Sequence, residues 1–217
     1  RKIVDHVSDI NLVLSEHARR NLIAENISSD KIFKTGSHLH EVIKYYMPKI
    51  KKSTILDKLK LSEKKYFLLS AHREENIDDK ENFENLFLSI KTLSKKYNLP
   101  VVITTHPRTK KNINNYSEFK NDEMLRFFEP FCFTDYAKLQ KSAFCVLSDS
   151  GTITEETSLL GLASINLRNA HERIEGMDSS VLIMSGLIEK NIVESVRIVT
   201  NQNENNKLIY KVPDYEP

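Results

Sequence analysis

Along the chain, short apolar runs alternate with longer stretches in which apolar side chains recur every three or four positions. The runs at 66–70, 100–105, 125–129, 144–147 and 163–167 have the length and continuous apolarity of strands buried on both faces of a parallel sheet. Between the first two, residues 78–97 place Phe83, Leu86, Phe87, Ile90 and Leu93 on one face of a long helix. Further helices are expected from the loop after 125–129 up to Lys141, from Thr152 to a stop at Gly161, and over 179–185 and 189–199. Upstream, the pattern predicts a strand at 11–14, a helix over 16–25 capped by Ser15, a strand at 32–35 closing on Gly36, and a helix over 41–52. The tail, 201–217, is polar and expected to be peripheral. Strand and helix in regular alternation imply a doubly wound parallel α/β sheet, Rossmann-like in architecture.

In such a sheet ligands sit at the carboxyl ends of the strands, so the loops there are where chemistry belongs. The run at 144–147 breaks at Ser148-Asp149-Ser150-Gly151-Thr152 into a helix start. Thr152 and Glu155 have capping-box spacing, which leaves free N–H groups and a positive dipole end pointing out of the turn, a ready phosphate site. The loop after 163–167 carries Arg168, Asn169, His171, Glu172, Arg173, Glu175 and Asp178. Asp-Ser-Gly is also a common turn, and an Arg/Glu-rich loop also reads as solvated surface; two such loops side by side favour a site. His72 and Arg73 follow the first core strand, and Pro107 holds His106 extended at the end of the next. Phe131 and Tyr136 either frame a base or pack into the core. His38 and His40 share no nearby carboxylate or thiol that completes a metal set, so surface or capping roles are expected.

Composition narrows the classes. At 217 residues and 40% apolar, the chain buries a sizeable core as one domain, or one domain plus part of another. Opening on Arg1 and entering directly on a polar segment, it is expected to be a piece of something longer. A net charge of +2 with scattered lysines argues against a nucleic-acid stripe, and no run has the apolar length of a membrane span, so a cytoplasmic protein is expected. Cys132 and Cys145 are too far apart for a paired motif and read as core residues.

The run DSGTITEE followed by LR-x-x-HER-x-EGMD resembles the second half of the non-hydrolysing UDP-N-acetylglucosamine 2-epimerase family, which more often reads DSGG-x-QEE and LR-x-x-TERPE. The HER-x-EGMD form is closer to a branch that 2-epimerises UDP-2-acetamido-2,6-dideoxy-L-talose to UDP-N-acetyl-L-fucosamine for capsule or O-antigen synthesis. His72-Arg73-x-Glu75-Asn76, with Glu74 in place of a second Arg, His106-Pro107 and the segment SD-x-x-x-x-x-SE-x-AR-x-NL agree with it, whereas Ser37-His38 stands where the family usually has Asn-Pro.

The resemblance implies a GT-B architecture, with 1–35 ending an N-terminal domain, 36–200 forming the UDP-binding domain and 201–217 a tail. It also implies a homodimer when full-length, no cofactor, and carboxylates in the N-terminal domain that work at C2. In that reading Ser150, Gly151 and Thr152 supply phosphate donors, and Arg173 meets the diphosphate. Glu156 accepts from the ribose hydroxyls, Phe131 and Tyr136 contact uracil, and His72 touches the diphosphate or assists proton transfer. Arg73, His106 and His171 are further candidates. A GT-B glycosyltransferase domain and a non-catalytic UDP-sugar-binding module stay open beside it.

Overall fold

The computed structural model describes residues 2–216 apart from 106, 114–115, 170–172 and 205–210. The chain opens with α1 (Lys2–Val7), β1 (Asn11–Val13), α2 (Glu16–Ala24) and β2 (Ile32–Lys34). β1 and β2 pair in parallel as a separate two-stranded sheet. Ser15 caps α2 by accepting from the Ala18 N–H at 3.3 Å, and Val13, Ile27 and Ile32 form a small core beneath it. Gly36, at φ +74°, turns the chain out of β2 into α3 (His38–Lys52). That helix begins three residues earlier than the apolar pattern indicated, because the Ser37 hydroxyl accepts from the Leu39 N–H at 3.2 Å and caps it there. His38 and His40 therefore lie in a first helical turn, about 200° apart around the axis.

The larger unit follows as α4 (Ile55–Lys58), β3 (Phe67–Ser70), α5 (Glu74–Ile77), α6 (Lys80–Tyr97), β4 (Val101–Thr104), α7 (Pro107–Ile113), α8 (Ser117–Lys120) and β5 (Leu125–Phe128). It continues through α9 (Phe133–Ser142), β6 (Cys145–Ser148), α10 (Ile153–Leu160), β7 (Ser164–Asn166), α11 (Ile174–Asp178), β8 (Ile183–Met184) and α12 (Glu189–Glu204). Its six strands run parallel in the order β5-β4-β3-β6-β7-β8. Both faces are covered. Phe67, Leu69, Cys145, Leu147 and Ile165 pack against Phe83, Phe87 and Ile90 of α6 and Ile192 and Val196 of α12. The alternate positions Leu68, Val102 and Val146 pack on the opposite face against Leu139 of α9 and Ile153 of α10.

This order has one decisive feature. The chain lays down β3, then β4 and β5 to one side, and returns to place β6 on the other side of β3. The connections therefore diverge between β3 and β6, and the loops leaving these two strands splay apart into a crevice. Ser70 pairs in register with Ser148, so the two loops start level with each other.

Four expectations are corrected. Residues 179–185 form no helix: Ser180 takes a left-handed turn (φ +54°), and Ile183 pairs with Ile165 as the edge strand β8. A four-residue apolar run is ambiguous by itself, and the unpaired edge of β7 decides it. The described end of the tail is not peripheral, since Val212 and Tyr215 are buried, Tyr215 completely. Cys132 is exposed and only Cys145 is in the core. Phe133 to Tyr136 belong to the first turn of α9 and not to the preceding loop. No helix among the described residues is long and apolar enough to cross a membrane.

Candidate functional site

At the crevice, the β6 loop controls the β3 loop through one buried carboxylate. Asp149 is fully buried, and its Oδ2 accepts from the backbone N–H of His72 at 3.0 Å and of Arg73 at 2.9 Å, and from Asn76 Nδ2 at 3.1 Å. Asn76 Nδ2 also donates to the Leu167 carbonyl at 3.1 Å, tying in the end of β7. These bonds satisfy N–H groups at the start of α5, which has no capping side chain of its own. His72 Nδ1 lies 3.3 Å from Asp149 Oδ1, which orients the imidazole while leaving its side chain half exposed to the crevice. Arg73 turns back on the same loop, its Nε donating to the Asp149 carbonyl at 3.0 Å.

The expected capping box at α10 does not form. The Thr152 hydroxyl donates to Glu156 Oε1 at 2.9 Å and makes no capping bond. Glu155 is drawn inward instead: it is buried, accepts from the Ser37 hydroxyl, and pairs with Arg173 Nη2 at 2.6 Å. Arg173 Nη1 donates to the Gly151 carbonyl, so the guanidinium lies directly on the turn. A carboxylate that reads as a helix-end residue is thus the anchor of the site's arginine. The N–H of Ser150 donates to Ser148 Oγ at 3.1 Å and that of Thr152 to Ser150 Oγ at 3.3 Å. Hydroxyls of the turn therefore satisfy these two donors.

Glu156, one position on, faces α9. It accepts from Gln140 Nε2 and from Thr152, and burial raises its carboxyl above the ordinary value against the lowering effect of those two bonds. Tyr136 lies one turn before Gln140, and burial followed by the Glu156 charge raises its phenol against the lowering effect of Ser70 and Gln140. Phe131 packs at 5.7 Å on the Phe128 ring at the lip of the same helix start. His72, Arg73, Ser150, Gly151, Thr152, Glu156, Arg173 and Tyr136 thus converge on the carboxyl ends of β3 and β6, with Phe131 beside them. His106 and His171 lie outside the described residues.

The model of the family described as UDP-N-acetylglucosamine 2-epimerase matches residues 1–216. The chain belongs to that family. The UDP-N-acetylglucosamine 2-epimerase of Methanocaldococcus jannaschii is 29% identical over 223 residues, covering 94% of this chain and 58% of that protein. Among solved structures, the UDP-N-acetylglucosamine 2-epimerase from Rickettsia bellii is 49% identical with a TM-score of 0.90, covering 99% of this chain and 57% of its own. The Neisseria meningitidis UDP-GlcNAc 2-epimerase, a structure bound to UDP-GlcNAc, is 28% identical with a TM-score of 0.85 and is covered to 60%. The chain therefore spans a little over half the length of the relatives it matches.

Sequence reasoning left three members of this site unassigned. Asp149 was visible only as a turn residue, and what marks it is its place one residue after a core strand with no solvent to face. Gln140 had one signal, its i,i+4 relation to Tyr136 on a common helix face. Ser37, 118 residues from its partner, had none.

Proposed function

We propose that this chain is the nucleotide-gripping C-terminal half of a GT-B-type UDP-2-acetamido-sugar 2-epimerase that works as a homodimer when full-length. The observation that carries the reading is the convergence, at one switch point, of an oriented imidazole, an anchored guanidinium and a partly buried carboxylate. Each suits one part of a nucleoside diphosphate. Arg173 and the donors of Ser150, Gly151 and Thr152 meet the diphosphate, Glu156 accepts from the two ribose hydroxyls, and Phe131 and Tyr136 border the uracil. In the reaction a base takes the C2 proton, its electron pair forms the C1–C2 double bond, and the C1–O bond breaks to release UDP. UDP then returns to C1 while a proton enters the opposite face of C2. No electron acceptor is required at any step. The arginine and the turn stabilise the charge that grows on departing UDP, and His72 contacts that diphosphate or carries the proton. The carboxylates at C2 come from the other half of the protein, and closing the halves keeps the intermediate and UDP together. The HER-x-EGMD run supports the 6-deoxy-L-talose substrate and a place in capsule or surface polysaccharide precursor synthesis.

Calorimetry on this chain should show millimolar or better affinity for UDP and clear preference over CMP, while no UDP-sugar is epimerised. The full-length protein in deuterated water should place deuterium at C2. Equal binding of UDP and CMP, or C2 exchange by this chain alone, would overturn the assignment.

A further inference from the structure

Ser37 belongs to none of the loops that frame the crevice. It sits on the crossover from the β1–β2 unit to α3, immediately after the left-handed Gly36, yet its side chain is buried. Its hydroxyl accepts from the Leu39 N–H and donates to Glu155 Oε2, a combination a hydroxyl makes with one donor and one of its two lone pairs. Its backbone N–H donates to the Tyr215 carbonyl at 3.1 Å, and the Tyr215 hydroxyl donates to Glu175 Oε1 at 2.9 Å. The crossover is therefore bound from two sides to the segments that carry Arg173.

What this does to Arg173 follows from the valences of Glu155. A carboxylate facing a guanidinium tends to engage it with both oxygens in a fork, which would occupy the donors a ligand needs. Here one oxygen, Oε2, accepts from Ser37, and the other, Oε1, lies 2.6 Å from Arg173 Nη2 without hydrogen-bond alignment. The guanidinium is held, so less side-chain freedom remains to be lost when an anion arrives, but it is not saturated. We propose that Ser37 is a positioning residue for Arg173. By occupying one oxygen of Glu155 it keeps the guanidinium presented to a diphosphate, and it ties the conformation of the crossover to the grip on that group. Any movement that draws Ser37 away frees Glu155 to sequester the arginine. This rests on the assignment of Arg173 to the diphosphate of a uridine nucleotide.

The test is titration calorimetry of UDP and UMP against the unaltered chain, Ser37→Ala, Arg173→Ala and the double variant. Ser37→Ala should weaken UDP by about three- to tenfold, the scale of one hydrogen bond to a charged group acting indirectly, and leave UMP within about twofold. In the Arg173→Ala background the same change should cost nothing further, because the residue it acts through is gone. Ser37→Thr, which keeps the hydroxyl and the cap, should restore UDP affinity. If Ser37→Ala does not fold, Ser37→Cys, which keeps the side-chain size but offers Glu155 only a weak S–H donor, should produce the same selective loss of UDP. Equal loss of UDP and UMP, or a full additive loss in the double variant, would overturn the coupling while leaving the UDP assignment intact. No binding of UDP by the unaltered chain would overturn both.

Discussion

At the scale of single residues the site is built from buried charge, and two outcomes follow. Glu156 is raised above its ordinary carboxyl value by burial. A group whose folded value exceeds its unfolded one adds stability that is complete below the unfolded value and is lost as pH rises through the folded one. At neutral pH the charge on Glu156 therefore opposes folding, and Glu156→Gln should raise the melting temperature while weakening UDP at least tenfold. Each kcal/mol released is about 2–4 °C for a chain of this size. The gap in melting temperature should shrink as the buffer is taken from pH 7 down towards the ordinary Glu value of 4.5, where the parent carboxyl is protonated as well. A constant gap across that range would show that the substitution acts by some route other than charge. Asp149 is a fully buried acceptor for three donors. Asp149→Ala leaves those donors unmet and should cost about 2–4 kcal/mol, read as a shift in urea midpoint with an unchanged slope. A smaller loss would mean that water replaces the carboxylate.

Among the elements, α11 is placed with the least tolerance. Arg173 immediately precedes it, and a Cβ on Gly176 would fall 2.1 Å from Thr154 Cγ2 on α10. Gly176 therefore permits the close approach of two helices that carries the arginine onto the turn at Gly151. Gly176→Ala should destabilise by about 1–3 kcal/mol, the usual cost of an extra methyl in a packed contact, and should also weaken UDP because Arg173 moves with the helix. An alanine variant with parental stability and affinity would show that α11 docks with slack. The same elements show where pattern reading works. α6 was legible because Phe83, Leu86, Phe87, Ile90 and Leu93 repeat on one face, and all five are buried. Residues 179–185 were misread because strand and helix compete evenly for so short an apolar run, and only the partner edge of β7 breaks the tie.

Across the whole molecule, the two sheets are unequal. The six-stranded sheet is buried on both faces, whereas the β1–β2 unit leaves Leu12 and Phe33 exposed, and Ile3, Val4 and Val7 of α1 are exposed as well. A two-stranded sheet with a small core is marginal by itself. Amide exchange should therefore be fastest in α1, β1 and β2 and slowest in β3 and β6, with protection differing by several orders of magnitude. Uniform protection through both sheets would show that they unfold as one unit. The exposed apolar positions also form the kind of surface that a further layer covers.

The sequence by itself determined the parallel α/β class, because continuous apolar runs can be buried only with helices on both faces. It also determined the place of the turn between β6 and α10, because Ser148 to Thr152 is a local strand-to-helix break contained in five consecutive residues. Tertiary structure alone decided the strand order, and with it that the loops of β3 and β6 share one crevice. It also decided that Asp149 and Glu155 serve other segments and not their own helix ends, and that Ser37 serves Glu155 as well as its own helix. A buried carboxylate takes whichever donors the fold brings to it, and donors 73 to 118 residues distant leave no periodic trace in a single chain.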